Sequence, residues 1–493
     1  MQLRWARWRA PMVLLAVAVI VVGACSGTAA TAAPTAAPTA APTAAPTAAP
    51  TAAPTAAPTA APTAAPTAAP TAAPTAAPTA AAGAIPGVTK GQFAGITLNV
   101  MTNDYHKDWE FTVPEITKAW EDWTGGKINV TYVPSDQRTT KFAQIVATKD
   151  PTYDLIVATV LEAESYANIM YENLDGKLQA TTLPDMTTWT AAGGQGHYAL
   201  PNLDGVAITY WNTERFTKAG LDPAKGPVKW DDLFAMCDKI NAAYPGKFCL
   251  DLPFPNSQAS FAYWSMLLNA SCGDMYSPDL KKTAFNTPQG LAALETFKKW
   301  STYVDRGSFS LPGSYEASKR LAQGDLTTIS FGFSNEYKQF LTDPKASKII
   351  GKIGFSEIPG IGDCKTGSYN GWEGYGINVW GDAAKKAAAY SYIDWLVSVP
   401  VQTEMSRNFG FLPVRKSLLA AAPADIAIPT WAAAAAQYAD GKVSRHGSAF
   451  FFQVAELWDK VLRDVFDGKI QPKAALDTLD KQTQTIIDEY YAR

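Results

Sequence analysis

Between residues 95 and 159, hydrophobic and polar positions follow a regular succession of strand and helix patterns. "GITLNVMTND" and "YDLIVAT" are short apolar runs typical of buried strands, and "INVTYVPSD" alternates apolar and polar residues. The intervening stretches, "PEITKAWEDWTG" and "TKFAQIVATKD", space their apolar residues along one face of a helix. This β-α-β-α-β order predicts a mostly parallel sheet with both faces covered, so the predicted fold class is α/β.

The strand ends of this predicted sheet indicate where a ligand would bind, because ligands of such sheets lie beyond the carboxyl ends of the strands. The first strand runs into Asn103, Asp104 and Tyr105, and the third strand is followed by residues 159 to 162. We therefore take these two loops as candidate binding loops.

The pattern changes after residue 199. "ALPNLDGVAITYW" predicts one long strand, and "LTTISFGFSN" and "GYGINVW" predict two more. The C-terminal third is mainly helical in pattern. Asp231 and Asp232 fall in the first turn of a predicted helix, where carboxylates stabilise the positive end of the dipole, so we interpret them as capping residues. The folded part, roughly 400 residues, is long enough for two lobes with separate cores.

The N-terminal segment has the pattern of an export leader. Three arginines precede an uncharged run over residues 10–24, which is too short to cross a bilayer comfortably. "VGAC" then places small residues before Cys25, as in a lipobox. We predict that residues 1–24 are a lipoprotein signal peptide and that Cys25 is lipidated; the alternative is an ordinary signal peptide cleaved near residue 24.

Repeats of the unit TAAP follow Cys25. They contain no large apolar residue and cannot bury enough surface to offset the entropy of ordering. Proline at every fourth position blocks helix and favours extended conformations, whose upper length exceeds about 100 Å. We therefore predict a disordered tether over residues 25–94. With the predicted lipid anchor, this tether implies that the folded part functions outside the cytoplasmic membrane.

The charge balance and the histidines exclude several functions. The chain has 42 Lys and Arg against 45 Asp and Glu, which gives no sign of nucleic-acid binding. His106, His197 and His446 are far apart in sequence and no Cys-x-x-Cys accompanies them. We therefore expect neither a zinc site nor any cofactor.

Four cysteines remain besides Cys25, an even number in a chain that we expect to be exported. We favour a disulfide between Cys237 and Cys249, because a helix end and the following strand could bring them together. Cys272 and Cys364 could form a second disulfide. Buried free thiols are the alternative.

Five segments occur in an order that is found in a known family: "YDLIVATVLEAESYANIMYENLDGKL", "LPNLDGVAITYWNTERFTKAGLD", "LAQGDLTTISFGFSNEY", "NGWEGYGINVWGDAAKKAAAYSYIDWLVS" and "SAFFFQVAELWDKVLRDVFDGKI". Together they resemble the extracellular solute-binding proteins of ABC importers, in particular the sugar-binding group that includes maltose-binding protein. The resemblance implies a two-lobed, type II periplasmic-binding-protein-like fold, with discontinuous lobes joined by a hinge. We expect an N-lobe of residues 95–203 and 350–408 and a C-lobe of residues 204–349 and 409–493.

The resemblance also implies a set of ligand-binding residues in the cleft. Carboxylates and amides suit the hydroxyls at a sugar's edge, and aromatic rings suit its faces. Trp264 and Phe451 could equally be core residues, and Glu162 and Asp204 could be structural carboxylates. The complete candidate set is Asn103, Asp104, Tyr105, Thr159, Glu162, Asp204, Trp264, Phe333, Asn335, Trp372, Glu373 and Phe451.

In function, the resemblance implies a monomeric, lipid-anchored receptor on the outer face of the cytoplasmic membrane. It would capture a small carbohydrate and deliver it unchanged to the permease subunits of an ABC importer. No nucleophile elbow, P-loop or dinucleotide motif suggests an enzyme. The alternatives are the same fold binding a polyamine or an organic acid, an anchored carbohydrate-active enzyme, and an adhesion module. The acidic candidates favour hydroxyl donors or a cation over an anion.

Overall fold

The computed structural model describes residues 84–134, 137–167, 169–187, 196–324, 326–426 and 428–492. The predicted leader, the lipidation site Cys25 and most of the predicted tether lie outside the described residues. The last part of that tether is folded, because Ile85 and Phe93 are buried in the first hydrophobic core and the indole of Trp123 donates to the carbonyl of Val88 at 2.9 Å. The folded part therefore begins by residue 84, earlier than the predicted 95.

The strands fall into two main sheets and one short pair. In chain order they are β1 (Thr97–Asn103), β2 (Lys127–Val133), β3 (Leu155–Thr159), β4 (Leu200–Leu203), β5 (Ala207–Asn212), β6 (Ile329–Phe333), β7 (Ile353–Ser356), β8 (Gly367–Ser368), β9 (Glu373–Ile377) and β10 (Lys442–Val443).

The helices surround these sheets. In chain order they are α1 (Thr117–Thr124), α2 (Arg138–Thr148), α3 (Val160–Ser165), α4 (Thr182–Asp185), α5 (Thr213–Lys218), α6 (Trp230–Ala243), α7 (Ser257–Ala270), α8 (Pro288–Trp300), α9 (Ser314–Gln323), α10 (Lys386–Leu396), α11 (Val399–Phe409), α12 (Lys416–Ala420), α13 (Thr430–Asp440), α14 (Phe451–Phe466) and α15 (Pro472–Tyr491).

The first lobe is built on the sheet β2-β1-β3-β9-β4. Strand β1 pairs in parallel with both β2 and β3, and α1 and α2 connect them, which confirms the predicted β-α-β-α-β order. Strand β9 enters antiparallel between β3 and β4. Every residue of β3 is buried, as the continuous apolar run predicted for a strand covered on both faces.

The second lobe is built on the sheet β6-β5-β7, in which β5 is antiparallel to both neighbours. The single long strand expected after residue 199 is therefore two strands, β4 and β5, which belong to different sheets. The predicted return to the N-lobe at residue 350 also comes too early, because β7 still pairs with β5. The sheet pairings support placing this return between β7 and β9.

Three chain segments run side by side where the lobes meet. The amide of Leu412 donates to the carbonyl of Asp204 at 3.1 Å, and the amide of Gly371 donates to the carbonyl of Gly205 at 2.8 Å. A Cβ atom on Gly371 would lie 2.4 Å from the ring of Phe333, so a side chain at this position would displace that ring. These contacts support assigning the three segments to the hinge.

The core of the second lobe is formed mainly by helices. Helix α8 begins at Pro288, and the hydroxyl of Thr287 caps it by accepting from the amide of Gly290 at 3.3 Å. The buried positions of α14 recur every three to four residues, so the helix packs one apolar face inward. At the centre, Trp264 stacks on Trp458 of α14 with ring centroids 4.5 Å apart.

The structure contains two disulfides, Cys237–Cys249 and Cys272–Cys364, which correspond to the favoured and the second predicted pair. The second bond joins residues 92 positions apart and ties the loop after β7 to the end of α7. Both bonds lie within the second lobe.

Removing the Cys272–Cys364 bond is expected to destabilise the protein strongly. Replacing both residues with alanine should lower the free energy of unfolding by about 4–5 kcal/mol, because the unfolded chain regains the freedom of a long loop. Urea unfolding of the oxidised proteins measures this change. In reductant the wild-type chain and the double alanine variant should have nearly the same stability. If the two are also equally stable under oxidising conditions, the Cys272–Cys364 assignment is contradicted.

Candidate functional site

A polar network lies where the carboxyl ends of β1 and β3 meet the start of β9. Its most accessible acid is Glu373, whose side chain is 17 % exposed. One carboxylate oxygen of Glu373 accepts from the hydroxyl of Tyr105 at 2.6 Å, and the other accepts from the amide of Asn103 at 3.0 Å. The structure thus brings together three of the residues predicted for the site.

A second acid in this network, Glu162, is completely buried and bound within its own lobe. Its Oε1 accepts from Nε and Nη2 of Arg138 at 3.0 and 2.7 Å, and its Oε2 accepts from the hydroxyl of Thr159. Arg138 also donates from Nη1 to Asn103 at 2.9 Å. Glu162 and Thr159 therefore hold Arg138 and Asn103 in place, and Glu162 has the structural role that was the alternative to ligand binding.

His106 connects Glu373 to a further buried acid, Glu110. Its Nε2 lies 2.8 Å from Oε2 of Glu373, and its Nδ1 lies 2.8 Å from Oε1 of Glu110. Burial alone would raise the pKa of Glu373, but the hydrogen bond and the charge of His106, together with the charge of Arg138, hold that pKa below its ordinary value. Glu373 is therefore kept ionised as a hydrogen-bond acceptor.

Arg138, His106 and Glu110 were missed in the sequence, although signals for them were present. Arg138 follows the second strand of the parallel sheet, so the strand-end rule that selected the first and third loops selects it as well. His106 and Glu110 are four residues apart, a spacing that brings side chains together in a helical turn.

The second lobe contributes an aromatic wall, which we define as Tyr315, Phe333 and Tyr369. The ring centroid of Phe333 lies 5.5 Å from that of Tyr369 and 6.3 Å from that of Tyr315. Asn335 lies just beyond Phe333 and is buried, and its amide interacts with the hydroxyl of Tyr315 in the same wall. The structure thus places Phe333 and Asn335 together near the hinge.

The two lobes touch each other across the cleft. Tyr315 of the aromatic wall meets Trp109 of the first lobe edge-on, with centroids 6.2 Å apart. At another contact, the hydroxyl of Ser165 in α3 donates to the carbonyl of Ser448 in the second lobe at 3.0 Å. The network around Glu373 and the aromatic wall therefore belong to one interlobe region.

Three predicted aromatic residues lie in hydrophobic cores instead of the cleft. Trp264 is fully buried against Trp458, and Phe451 is fully buried with its centroid 5.3 Å from that of Phe261. Trp372 is 1 % exposed and packs in the core of the first lobe. It is Phe452, the neighbour of Phe451, that faces the first lobe, 6.1 Å from the ring of Tyr166.

The two predicted aspartates do not join the network either. Asp104 is exposed at the start of a short 3₁₀ helix. Asp204 is buried in one of the three segments assigned to the hinge, where the hydroxyl of Tyr438 donates to its Oδ2 at 2.9 Å. Burial raises the pKa of Asp204 to about 7.

One cation on the side of the aromatic wall has no carboxylate partner among the described residues. The guanidinium of Arg445 lies 5.3 Å from the centroid of Tyr369, and its Nε is buried without a hydrogen bond. No acid of the described residues lies within ion-pair distance of it. Sequence reasoning gave no signal for Arg445.

The described residues contain no group of three or more His, Cys, Asp or Glu side chains that could hold a metal ion. In the same part of the chain, no helix has both the length and the apolar character that crossing a membrane requires.

Comparisons with known proteins agree with this architecture. Over 241 residues the chain is 27% identical to a probable amino-acid ABC transporter periplasmic-binding protein of Sinorhizobium fredii, covering 45% of this chain and 48% of the relative. It is 26% identical over 254 residues to the sn-glycerol-3-phosphate-binding periplasmic protein of Escherichia coli K12, covering 48% and 53%. The chain thus spans about half the length of the curated relatives it matches.

A solved structure, the cyclic alpha-maltosyl-1,6-maltose binding protein of Arthrobacter globiformis, superposes with a TM-score of 0.65 at 20% identity, over 80% of this chain and 99% of that one. This likeness shows the fold, which is the two-lobed periplasmic-binding-protein fold of type II. Residues 115–444 match the family described as bacterial extracellular solute-binding protein. Because this match covers more than half of the chain, the protein belongs to the bacterial extracellular solute-binding protein family.

Proposed function

We propose that the protein captures a small carbohydrate between its lobes and passes it to the permease subunits of an ABC importer. The observation that carries this proposal is the arrangement of the cleft. An ionised, hydrogen-bonded Glu373 on one lobe lies in the same interlobe region as the aromatic wall of the other, with Trp109 and Tyr315 in contact between them.

The chemistry of these groups suits a sugar. Ring hydroxyls of a sugar donate well to a fixed carboxylate such as Glu373 and bond to a buried amide such as that of Asn335. The C–H faces of a sugar pack on aromatic rings, which the aromatic wall supplies. The relative from Arthrobacter globiformis is named for a sugar ligand, which supports the same assignment.

We further propose that the bound solute is released unchanged. A glycoside hydrolase needs one carboxyl group that keeps its proton near neutral pH, so that it can act as a general acid. The pKa of Glu373 is shifted in the opposite direction, and Glu162 is engaged by Arg138. Asp204, whose pKa burial raises to about 7, accepts from Tyr438 in the hinge and does not join the network of Glu373, so the two carboxyl groups do not form a catalytic pair. Membership in a family of binding proteins supports the same conclusion.

The proposed setting is the outer face of the cytoplasmic membrane. Lipidation at Cys25 would anchor the chain, and the TAAP tether would let a monomeric binding unit reach the permease. The family is extracellular, which agrees with this location.

A second candidate ligand is an organic acid or a phosphorylated polyol. Arg445 favours it, because a guanidinium without a carboxylate partner is suited to receive a carboxylate or phosphate. The relative from Escherichia coli is named for sn-glycerol 3-phosphate, which carries such a group.

A thermal-shift screen with maltose, sn-glycerol 3-phosphate, citrate and spermidine tests these candidates. A true ligand at about 100 times its Kd should stabilise the protein by about 2.7 kcal/mol, because it binds only the folded state. We expect maltose to stabilise the protein and to be recovered intact by mass spectrometry. Stabilisation by spermidine alone, or recovery of cleaved sugar, would contradict the proposal.

The variant Arg445→Gln separates the two candidates. It should leave stabilisation by maltose nearly intact and abolish any stabilisation by sn-glycerol 3-phosphate or citrate. If the two anions stabilise the variant as well as the wild-type chain, Arg445 does not receive them.

A further inference from the structure

His106 is fully buried between two carboxylates. Both of its ring nitrogens lie 2.8 Å from a carboxylate oxygen, one on Glu110 and one on Glu373. Ionised carboxylates only accept hydrogen bonds, and a neutral imidazole has a single N–H to donate. When both carboxylates are ionised, both hydrogen bonds therefore form only if the ring carries both protons.

Among the described residues, the hydrogen-bond partners of Glu110 and Glu373 other than His106 are neutral. Tyr375 donates to Glu110 at 2.7 Å, and Tyr105 donates to Glu373 at 2.6 Å. Arg138 is the nearest other cation, and it is held by Glu162. The titratable groups that face the His106–Glu373 pair from the packed elements are Tyr105, Glu110, Arg138, Tyr315 and Tyr375.

We propose that His106 is a positioning residue for solute binding: its imidazolium, anchored by Glu110, holds the carboxylate of Glu373 ionised and fixed at the cleft. This inference rests on the proposed function, since it takes Glu373 as an acceptor for a ligand hydroxyl. His106 itself touches Glu110 and Glu373 and acts on the ligand only through the latter.

The direction of the pH dependence follows from the environment of the ring. Burial would lower the pKa of His106, but the charge of Glu110 and the hydrogen bonds to Glu110 and Glu373 outweigh it and raise the pKa from 6.5 to about 9. The contribution of the imidazolium is therefore complete below pH 6.5 and is lost as the pH rises through about 9. Solute affinity should be constant from about pH 6 to about 8 and fall above about pH 9.

Nitrogen-15 spectra of the histidine-labelled protein test the charge of His106 directly. We expect both ring nitrogens of His106 to be protonated at about pH 7.5, with a midpoint near 9. His446 provides an internal contrast, because burial lowers its pKa to about 4 and leaves it neutral. The variant His106→Gln identifies the signal by its loss. A neutral His106 at that pH would overturn the proposal.

The variant Glu110→Gln tests the anchor without removing the ring. Glutamine keeps an oxygen that accepts from Nδ1 of His106 but carries no charge. The midpoint of His106 should fall by at least about one pH unit, because a charge interaction of this kind shifts a pKa by that much. An unchanged midpoint of His106 would show that the charge of Glu110 does not stabilise the protonated ring.

Maltose binding by the same proteins tests the consequence for the cleft. At about pH 7, His106→Gln should weaken maltose binding roughly tenfold or more, and its affinity should no longer change up to about pH 10. The control is His197→Gln, because His197 lies near the surface beside Asp175, away from this network. Wild-type affinity in His106→Gln would overturn the proposal. Absence of maltose binding by the wild-type chain would contradict the sugar function, while the labelled spectra would still decide the charge of His106.

Discussion

Replacing Arg138 with methionine is expected to lower the free energy of unfolding by about 3–5 kcal/mol and to abolish solute binding. The side chain of Glu162 is 0 % exposed, so removal of its partner leaves a buried charge without compensation. The substitution also removes the donor that holds the side-chain oxygen of Asn103 at 2.9 Å. Urea unfolding followed by tryptophan fluorescence measures the first effect, and the thermal-shift assay measures the second.

A double variant distinguishes the buried charge from general damage to packing. Combining Arg138→Met with Glu162→Gln removes both charges, and it should recover much of the lost stability without restoring binding. If Arg138→Met alone is as stable as the wild-type chain, the Arg138–Glu162 ion pair does not stabilise the first lobe at the cleft.

Truncating Trp372 to alanine is expected to destabilise the unliganded protein by about 3–5 kcal/mol. The side chain is 1 % exposed and packs among the buried residues of the first lobe, so its removal leaves a large cavity. Urea unfolding without solute measures the loss. If Trp372 contacted the ligand, as the resemblance implied, its truncation would instead leave the stability of the unliganded protein nearly unchanged.

Phe452→Ala is the matched control for Trp372→Ala. Phe452 is half-buried and faces Tyr166 of the opposite lobe, so its truncation should cost less stability than that of Trp372. If Trp372→Ala keeps the unliganded stability of the wild-type chain but loses solute binding, Trp372 is a ligand contact and not a core residue.

Local patterns were sufficient for much of the first lobe. The apolar run of β3 and the periodicity of α1 and α2 predicted the parallel sheet, and the strand-end rule then located Asn103 and Tyr105. The same rule applied to the second strand would have located Arg138. These features were predictable because they depend on residues close together in the chain.

Burial of single aromatic residues was not predictable in this way. The resemblance implied that Trp372 binds the ligand, but the glycine after Glu373 serves close packing: a Cβ atom on Gly374 would lie 1.8 Å from the carbonyl oxygen of Leu200. Phe451 and Phe452 are adjacent and chemically identical, and it is Phe452 that faces the first lobe where α14 packs against α3. Such choices are made by contacts between segments that are far apart in sequence.

The position of β9 has a consequence for how the protein is made. This strand lies between β3 and β4, yet it is synthesised more than 200 residues after β3, so the first sheet stays incomplete until most of the chain exists. Contacts over such distances slow folding, because the long intervening loop must be closed before they form. We expect the nascent chain to remain incompletely folded late into synthesis, a state compatible with the extracellular location of its family.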